Sequence, residues 1–330
     1  MTTDLNLDQH STRGGIPGRR YEIVAPERGR VVQAEFAEPG VGEVLIKVLA
    51  NGVCASDLPA WTTAQPGYPL SLGHEPVGTV VATGPGVELA TGIRVAGRLV
   101  PSFADYVVAE VRDVVVVPDG VPTEQAIGEP LGCVVEGLRR TPVHLADRVA
   151  VIGLGFMGLC MVQLLVASGT ARVTAIDLRE DARAAALASG AADAYDPREL
   201  PADLLDATTR IGGPGFDVVL EASGTQPGLD LATELVRPHG AISILGYHQG
   251  IRQVDLQTWN WKALDVVNAH VRDRDLLRDS TRVGLEMIAA GRIDLGPLLT
   301  HRYSLDRLDD ALNALRTKPP GFIKALIINE

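Results

Sequence analysis

Residues 147–177 read DRVAVIGLGFMGLCMVQLLVASGTARVTAID. A short apolar run (149–152) leads into Gly153-Leu154-Gly155-Phe156-Met157-Gly158, a longer apolar segment follows, and a second short run (172–176) ends on Asp177. The order is strand, glycine turn, helix, strand. Glycines belong where the chain turns tightly and where helix, strand and ligand meet without a Cβ between them. The unpaired N–H groups at the helix start then face a pyrophosphate, framed by Gly153, Gly155, Phe156, Met157 and Gly158. Asp177, about 19 residues past the last glycine, is spaced to accept hydrogen bonds from a ribose 2′-OH, which favours NAD over NADP. Arg179 keeps NADP in view, because an arginine there meets a 2′-phosphate. Strand, helix and acid agree in one register, so the fingerprint is specific.

The run 149–169 has about the length that spans a bilayer. It holds the glycine fingerprint, Gln163 and Ser168, and no basic flank marks either side. It reads as a buried strand followed by a buried helix, so no membrane partner is expected.

A chain of 330 residues has room for two domains. Its net charge of −11 argues against a nucleic-acid surface. Three cysteines, Cys54, Cys133 and Cys160, make an odd, sparse set with no disulfide framework. That points to a reducing, cytoplasmic setting. Residues 1–20 lack the apolar core of a secretory signal, and Arg19-Arg20 lacks the segment a twin-arginine signal needs. They read as a mobile tail.

From 21 to about 118, short alternating runs at 30–36, 43–49, 78–83, 104–109 and 114–117 are broken by Gly and Pro, as in a β-rich, barrel-like domain. A helical link at 122–145 follows. From 147 the rhythm becomes strand and helix in alternation. Helices are expected at 182–189 and 229–236, the latter stopped by Pro238 and Gly240, and strands at 217–221, 241–245 and 264–268. Helices at 279–290 and 305–316 and a last strand at 322–328 complete the chain. The expected fold is α/β, a doubly wound parallel sheet (131–269) inserted into a catalytic domain made from 21–130 and 270–330. Sites of this kind lie in the cleft between.

The β-rich part carries Cys54-Ala55-Ser56-Asp57 and, about twenty residues on, Gly73-His74-Glu75-Pro76. A thiolate, an imidazole and a carboxylate can form an open catalytic zinc site. Equally, Cys54 alone reads as a small buried residue and His74-Glu75 as a hydrogen-bonded pair at a turn.

The motifs NGVCASDL, GHEPVG, EPLG, GLGFMG with Asp177, FDVVLEASG and ISILGY follow one another at the approximate spacing of the zinc-dependent medium-chain alcohol dehydrogenases. The chain resembles that family, and its sorbitol-type polyol branch, over nearly all of 21–330. The resemblance implies a GroES-like catalytic domain, with Cys54 and His74 as zinc ligands and Glu75 or Glu129 (in GEPLG) as the further carboxylate. Asp57 would orient the histidine, and Ser56 would pass the substrate proton. Ser223, Gly246 and Tyr247 would line the nicotinamide, Asn268 would meet its carboxamide, and Lys324 would approach the pyrophosphate. The catalytic set is then Cys54, Ser56, His74 and Glu75. The implied enzyme transfers a hydride between NAD and a secondary alcohol of a polyol, sugar or cyclitol, as a homodimer or homotetramer.

Four departures stand out. The usual histidine five positions after the cysteine is Pro59, the basic residue after it is Ala55, the four-cysteine lobe for a structural zinc is missing near 95–105, and 259–270 is unusually rich in Trp and Asn. One catalytic zinc and no structural zinc are expected. Rival readings are a zinc-free NAD(P)-dependent enone or quinone reductase, a redox-neutral enzyme with tightly bound NAD, and a non-catalytic NAD-binding protein. Trp259 and Trp261 read as packing or as a sugar platform. His270 reads as structural or as a replacement for the missing relay histidine, His301 as structural, and Cys133 and Cys160 as packing residues.

Overall fold

A computed structural model describes residues 15–63, 71–169, 172–205 and 215–329. The chain opens with an antiparallel pair, β1 (Ile16–Ala25) and β2 (Arg28–Phe36). Most of the tail expected at 1–20 lies outside the described residues, but its end is corrected, since Ile16 to Arg20 begin β1. The strand was not foreseen because residues 16–20 carry no apolar alternation; pairing with β2 forms it, and Tyr21 and Ile23 anchor it in the core. Arg19 donates from Nε and Nη2 to the Asp105 carboxylate at 3.1 Å, and Arg20 pairs with Glu22.

Strand β3 (Glu43–Gly52) follows, then the short helix α1 (Leu58–Thr63), β4 (Pro76–Thr83), β5 (Arg94–Gly97), β6 (Tyr106–Glu110) and β7 (Val114–Val116). Helix α2 (Gly128–Arg140) crosses to the alternating part. That part runs β8 (Arg148–Ile152), α3 (Phe156–Ala167), β9 (Arg172–Ile176), α4 (Glu180–Ala188), β10 (Asp193–Tyr195), α5 (Ala202–Leu205), β11 (Phe216–Glu221), α6 (Gln226–Leu235), β12 (Val236–Ile244), α7 (Leu256–Lys262) and β13 (Asp265–Asn268). Helix α8 (Arg274–Ala289), β14 (Leu299–Tyr303), α9 (Leu308–Thr317) and β15 (Lys324–Ile328) end the chain.

The alternating part forms a six-stranded sheet in the order β10-β9-β8-β11-β12-β13, every neighbouring pair parallel. This is the doubly wound order, with its switch point between β8 and β11. The second sheet runs β14-β15-β3-β4-β5-β7, with β6 on β3. Because β15 lies antiparallel to β3, the two ends of the chain share one sheet.

Helix α6 ends at Leu235 and β12 starts at Val236, so Pro238 and Gly240 follow the helix end as expected and also stand inside the strand's irregular entry. Lys262 explains where α6 stops. Its buried ammonium donates to the carbonyls of Thr233, Glu234 and Val236 at 2.7–2.9 Å, satisfying the helix's last acceptors. Helix α3 buries Leu159, Met161, Val162 and Leu165 all round, which is why its sequence looked long and apolar. Among the described residues, no helix is long and apolar enough to cross a membrane.

Candidate active site

The fingerprint turn uses each glycine differently. Gly153 sits at φ +92°, and a Cβ there would press into the backbone of Ser223. A Cβ on Gly158 would strike the Gly153 carbonyl, so that glycine sets how closely α3 meets β8. Around Gly155 a Cβ would meet nothing within 4 Å, which leaves open space at the start of α3. Phe156 and Met157 start α3 from this turn. At the end of β9, Asp177 accepts from Leu154 N at 2.7 Å and Arg179 N at 2.8 Å, tying the acid to the glycine turn. The Arg179 guanidinium donates to the Phe322 carbonyl at 2.8 Å and lies 3.6 Å from Asp181.

The second centre forms where β3 ends and β4 begins. Cys54, His74 and Glu75 offer ligand atoms that all lie within 4.8 Å of one another. The turn after Cys54 is closed on itself, with Asp57 N donating to the Cys54 carbonyl at 3.0 Å and Cys54 N to Asp57 Oδ2 at 3.3 Å. The other oxygen of Asp57 meets His74 Nδ1 at 3.3 Å, which turns Nε2 toward the cluster. Ser56 Oγ is 3.3 Å from both Cys54 Sγ and His74 Nε2. Burial works against a charged His74, but hydrogen bonds to Asp57 and Cys54 and the charges of Glu75 and Cys54 prevail and raise it to about 11.

Glu75 is fully buried. Its Oε2 faces the Lys324 ammonium at 2.6 Å, and among the described residues its Oε1 has no hydrogen-bond partner. Gly52 makes room for it, since a Cβ there would overlap Oε2. A bare oxygen on a buried carboxylate, beside a thiol and an oriented imidazole, is the donor set that a zinc ion completes.

Lys324, expected at the pyrophosphate, is instead buried against Glu75, with its ammonium 5.0 Å from the centre of the Phe156 ring. Burial disfavours its charge, but Glu75 and Cys54 outweigh that and raise its pKa. One side chain thus joins the ligand cluster to the fingerprint. Glu129, on α2, lies outside the cluster and accepts from Cys133 Sγ at 3.5 Å. Burial and the nearby charge of Glu75 raise its pKa.

On the far side of the switch point, Ser223 follows β11, and Gly246 and Tyr247 follow β12. Tyr247 is exposed and meets His270 edge-on at 6.3 Å. Asn268 ends β13, its carbonyl accepting from Arg140 Nε at 3.1 Å. Trp259 packs into the core and donates to Thr233 Oγ1 at 2.9 Å, whereas Trp261 is 81% exposed, so the two do not form one platform. Sequence reasoning missed another fully buried carboxylate, Glu221, its partner His248, and Arg252 behind that histidine. The signal was present in FDVVLEASG, where an acid ends an otherwise apolar strand.

Residues 40–119 match the alcohol dehydrogenase GroES-like domain family, and residues 157–287 match the zinc-binding dehydrogenase family. A Mycobacterium tuberculosis protein named as a probable zinc-binding alcohol dehydrogenase is 30% identical over 83% of this chain and 79% of its own length. L-threonine 3-dehydrogenase of Pyrococcus furiosus is 29% identical over 90% of this chain and 94% of that protein. Galactitol 1-phosphate 5-dehydrogenase of Escherichia coli is 28% identical over 93% and 99%. Among solved structures, an alcohol dehydrogenase from Thermus sp. ATN1 superposes with a TM-score of 0.82 at 25% identity, covering 94% of this chain and all of that one.

Proposed function

Because this chain belongs to the zinc-binding alcohol dehydrogenase family, oxidoreductases of CH–OH groups, we propose that it moves a hydride between NAD and a secondary alcohol of a polyol, sugar or cyclitol, with one catalytic zinc and no structural zinc. The observation that carries this reading is the cluster of Cys54, His74 and Glu75, three donors of zinc-binding chemistry within 4.8 Å and one buried oxygen left bare.

Cys54, His74 and Glu75 would hold the zinc, which would supply Lewis-acid chemistry at the substrate oxygen. Asp57 fixes the imidazole so that Nε2 serves as ligand. Ser56 Oγ stands beside two of the ligands, where it can take the substrate's proton and pass it on. Glu129 stands by as a second carboxylate. NAD supplies the hydride acceptor. The turn from Gly153 to Gly158 would receive its pyrophosphate and Asp177 its adenosine ribose, while Ser223, Gly246, Tyr247 and Asn268 would face the nicotinamide half. The preference for NAD rests on Asp177, whose charge repels a 2′-phosphate, and on Arg179 being engaged elsewhere.

The polyol preference rests on Glu75 with the EPL segment and on likeness to the galactitol-phosphate enzyme. A homo-oligomer joined along the edge strand β13, beside exposed Trp261 and Val266, fits the open side of the six-stranded sheet. The three free cysteines fit a cytoplasmic setting.

The test is metal content per chain in protein purified without added zinc or chelator, followed by a panel of polyols with NAD. About one zinc per chain and NAD reduction by a polyol are expected. Metal-free protein that binds nucleotide and reduces an enone would replace this reading with the zinc-free reductase, and two zincs would mean a structural site exists.

A further inference from the structure

Glu221 ends β11 with no solvent exposure, in a place the dehydrogenase chemistry described above does not use. In a sheet of this order the dinucleotide lies across the carboxyl ends of the strands, with its two halves on either side of the switch point. Asp177 claims the β9 side for the adenosine ribose. The nicotinamide half therefore runs over the ends of β11 and β12, where the loops 222–225 and 245–248 meet.

Donors converge on Glu221 from both loops. Oε1 accepts from Ser223 N at 2.7 Å, from Gly224 N at 3.0 Å and from the Ser223 hydroxyl, while Oε2 meets His248 Nε2 at 2.7 Å. Arg252 Nε donates to His248 Nδ1 at 3.1 Å. A guanidinium has no acceptor, so Nδ1 must be bare and Nε2 must carry the proton. His248 is thus a neutral link between an anion and a cation. Arg252 Nη2 also donates to the Gly224 carbonyl at 3.1 Å, which closes the ring back onto the first loop.

The packing leaves no slack. A Cβ on Gly246 would lie 2.6 Å from Glu221 Oε2, and one on Gly228 would lie 2.8 Å from Oε1. Gly224 sits at φ +68° with the Tyr247 carbonyl 2.8 Å from where its Cβ would be. Ser223 in turn abuts Gly153 of the fingerprint.

We infer that Glu221, His248 and Arg252 are positioning residues that lock these two loops into one floor under the nicotinamide ring. They touch no reacting atom and exchange no proton with the substrate. Their effect is on the angle and distance at which the ring meets the substrate, where an error of about 1 Å costs on the order of a hundredfold in rate. The inference rests on the dehydrogenase reading.

Arg252→Ala opens the ring at its half-buried corner, and Arg252→Lys keeps one donor there. Glu221→Gln sets amide hydrogens against His248 Nε2–H, two donors face to face. Expected for Arg252→Ala and Glu221→Gln is a fall in kcat of about ten- to a hundredfold with an altered primary deuterium isotope effect. The Kd of ADP-ribose, which lacks the nicotinamide, stays unchanged, and Arg252→Lys restores part of kcat. Turnover equal to the parent's in Arg252→Ala overturns the inference. So does an equal loss of ADP-ribose and NADH binding, which would make the ring merely structural. A parent chain that does not bind ADP-ribose defeats the dehydrogenase reading itself, and the inference with it.

Discussion

Among the described residues, two fully buried carboxylates, Glu75 just ahead of β4 and Glu221 at the end of β11, are treated in opposite ways. Glu221 meets two backbone N–H groups, a hydroxyl and an imidazole. Glu75 faces one ammonium and keeps one oxygen bare. Burying an ion costs several kcal/mol unless hydrogen bonds and opposite charge replace water. Glu221 is complete as it stands, and its role is to hold the chain. Glu75 is incomplete, and its neighbours Cys54 and His74 are the groups with which it would share a cation. The contrast sets a carboxylate satisfied by the chain itself beside one whose surroundings fit a shared cation.

The largest effect falls on the incomplete side. Cys54→Ser removes the thiolate from the ligand set, and alcohol oxidation should fall by at least about a thousandfold, together with loss of bound zinc. ADP-ribose binding, which depends on the other sheet, should not change. Activity that survives in a zinc-free variant would break the assignment.

Next in size is Lys324→Met. It leaves the buried Glu75 charge without its cation, and in chelator-treated protein the loss should be about 3–5 kcal/mol by urea denaturation. Zinc should return part of that stability to the variant, because the ion supplies the missing positive charge. An equal loss with and without zinc would mean that Glu75 never meets the metal.

Much of this contrast lay beyond the sequence. The fingerprint was readable because each glycine's task is local, a turn at Gly153, an open approach at Gly155, a close helix crossing at Gly158. Alternation of apolar runs with helices pointed to a parallel sheet, and the sheet has the doubly wound order. Cys54 and His74 were readable only as members of a family pattern, since a single thiol and a single imidazole carry no geometry of their own. Lys324 was expected at the pyrophosphate because nothing in the chain foretells that β15 returns beside β3 and delivers its first residue to Glu75. Nothing in the sequence marks His248 and Arg252, because the ring closes only when two loops fold against each other. Strand β1 was missed for a simpler reason, as Pro17, Gly18, Arg19 and Arg20 give its start no apolar alternation.

A smaller effect should come from Asp57→Asn. The amide can still accept from His74 Nδ1, but without charge, so zinc affinity should fall by about 10–100-fold and added zinc should restore activity. The same site sets a pH dependence. In metal-free protein His74 is raised from its ordinary 6.5 to about 11, so its contribution to stability is full below about 6.5 and is lost as pH rises through about 11. Zinc must displace that proton. Metal loading at neutral pH should release acid, and apparent affinity should rise with pH. Loading without proton release would show that His74 is not a ligand.

The smallest effect tests the complete side. Ser223→Ala deletes one of the groups that donate to Glu221 and leaves Ser223 N, Gly224 N and His248 in place. The lost hydroxyl takes with it the bond to a charged acceptor, yet the carboxylate is not stranded, so the cost should be about 1 kcal/mol. Lys324→Met removes the cation in direct contact with Glu75, leaving only the more distant His74 imidazolium, and should cost several times more. Both changes delete a single partner of a buried carboxylate, so the ratio of the two losses measures how much of each charge is met by the protein itself. Equal losses would mean that Glu75 is as well satisfied as Glu221, and the case for a cation at Glu75 would fall with that difference.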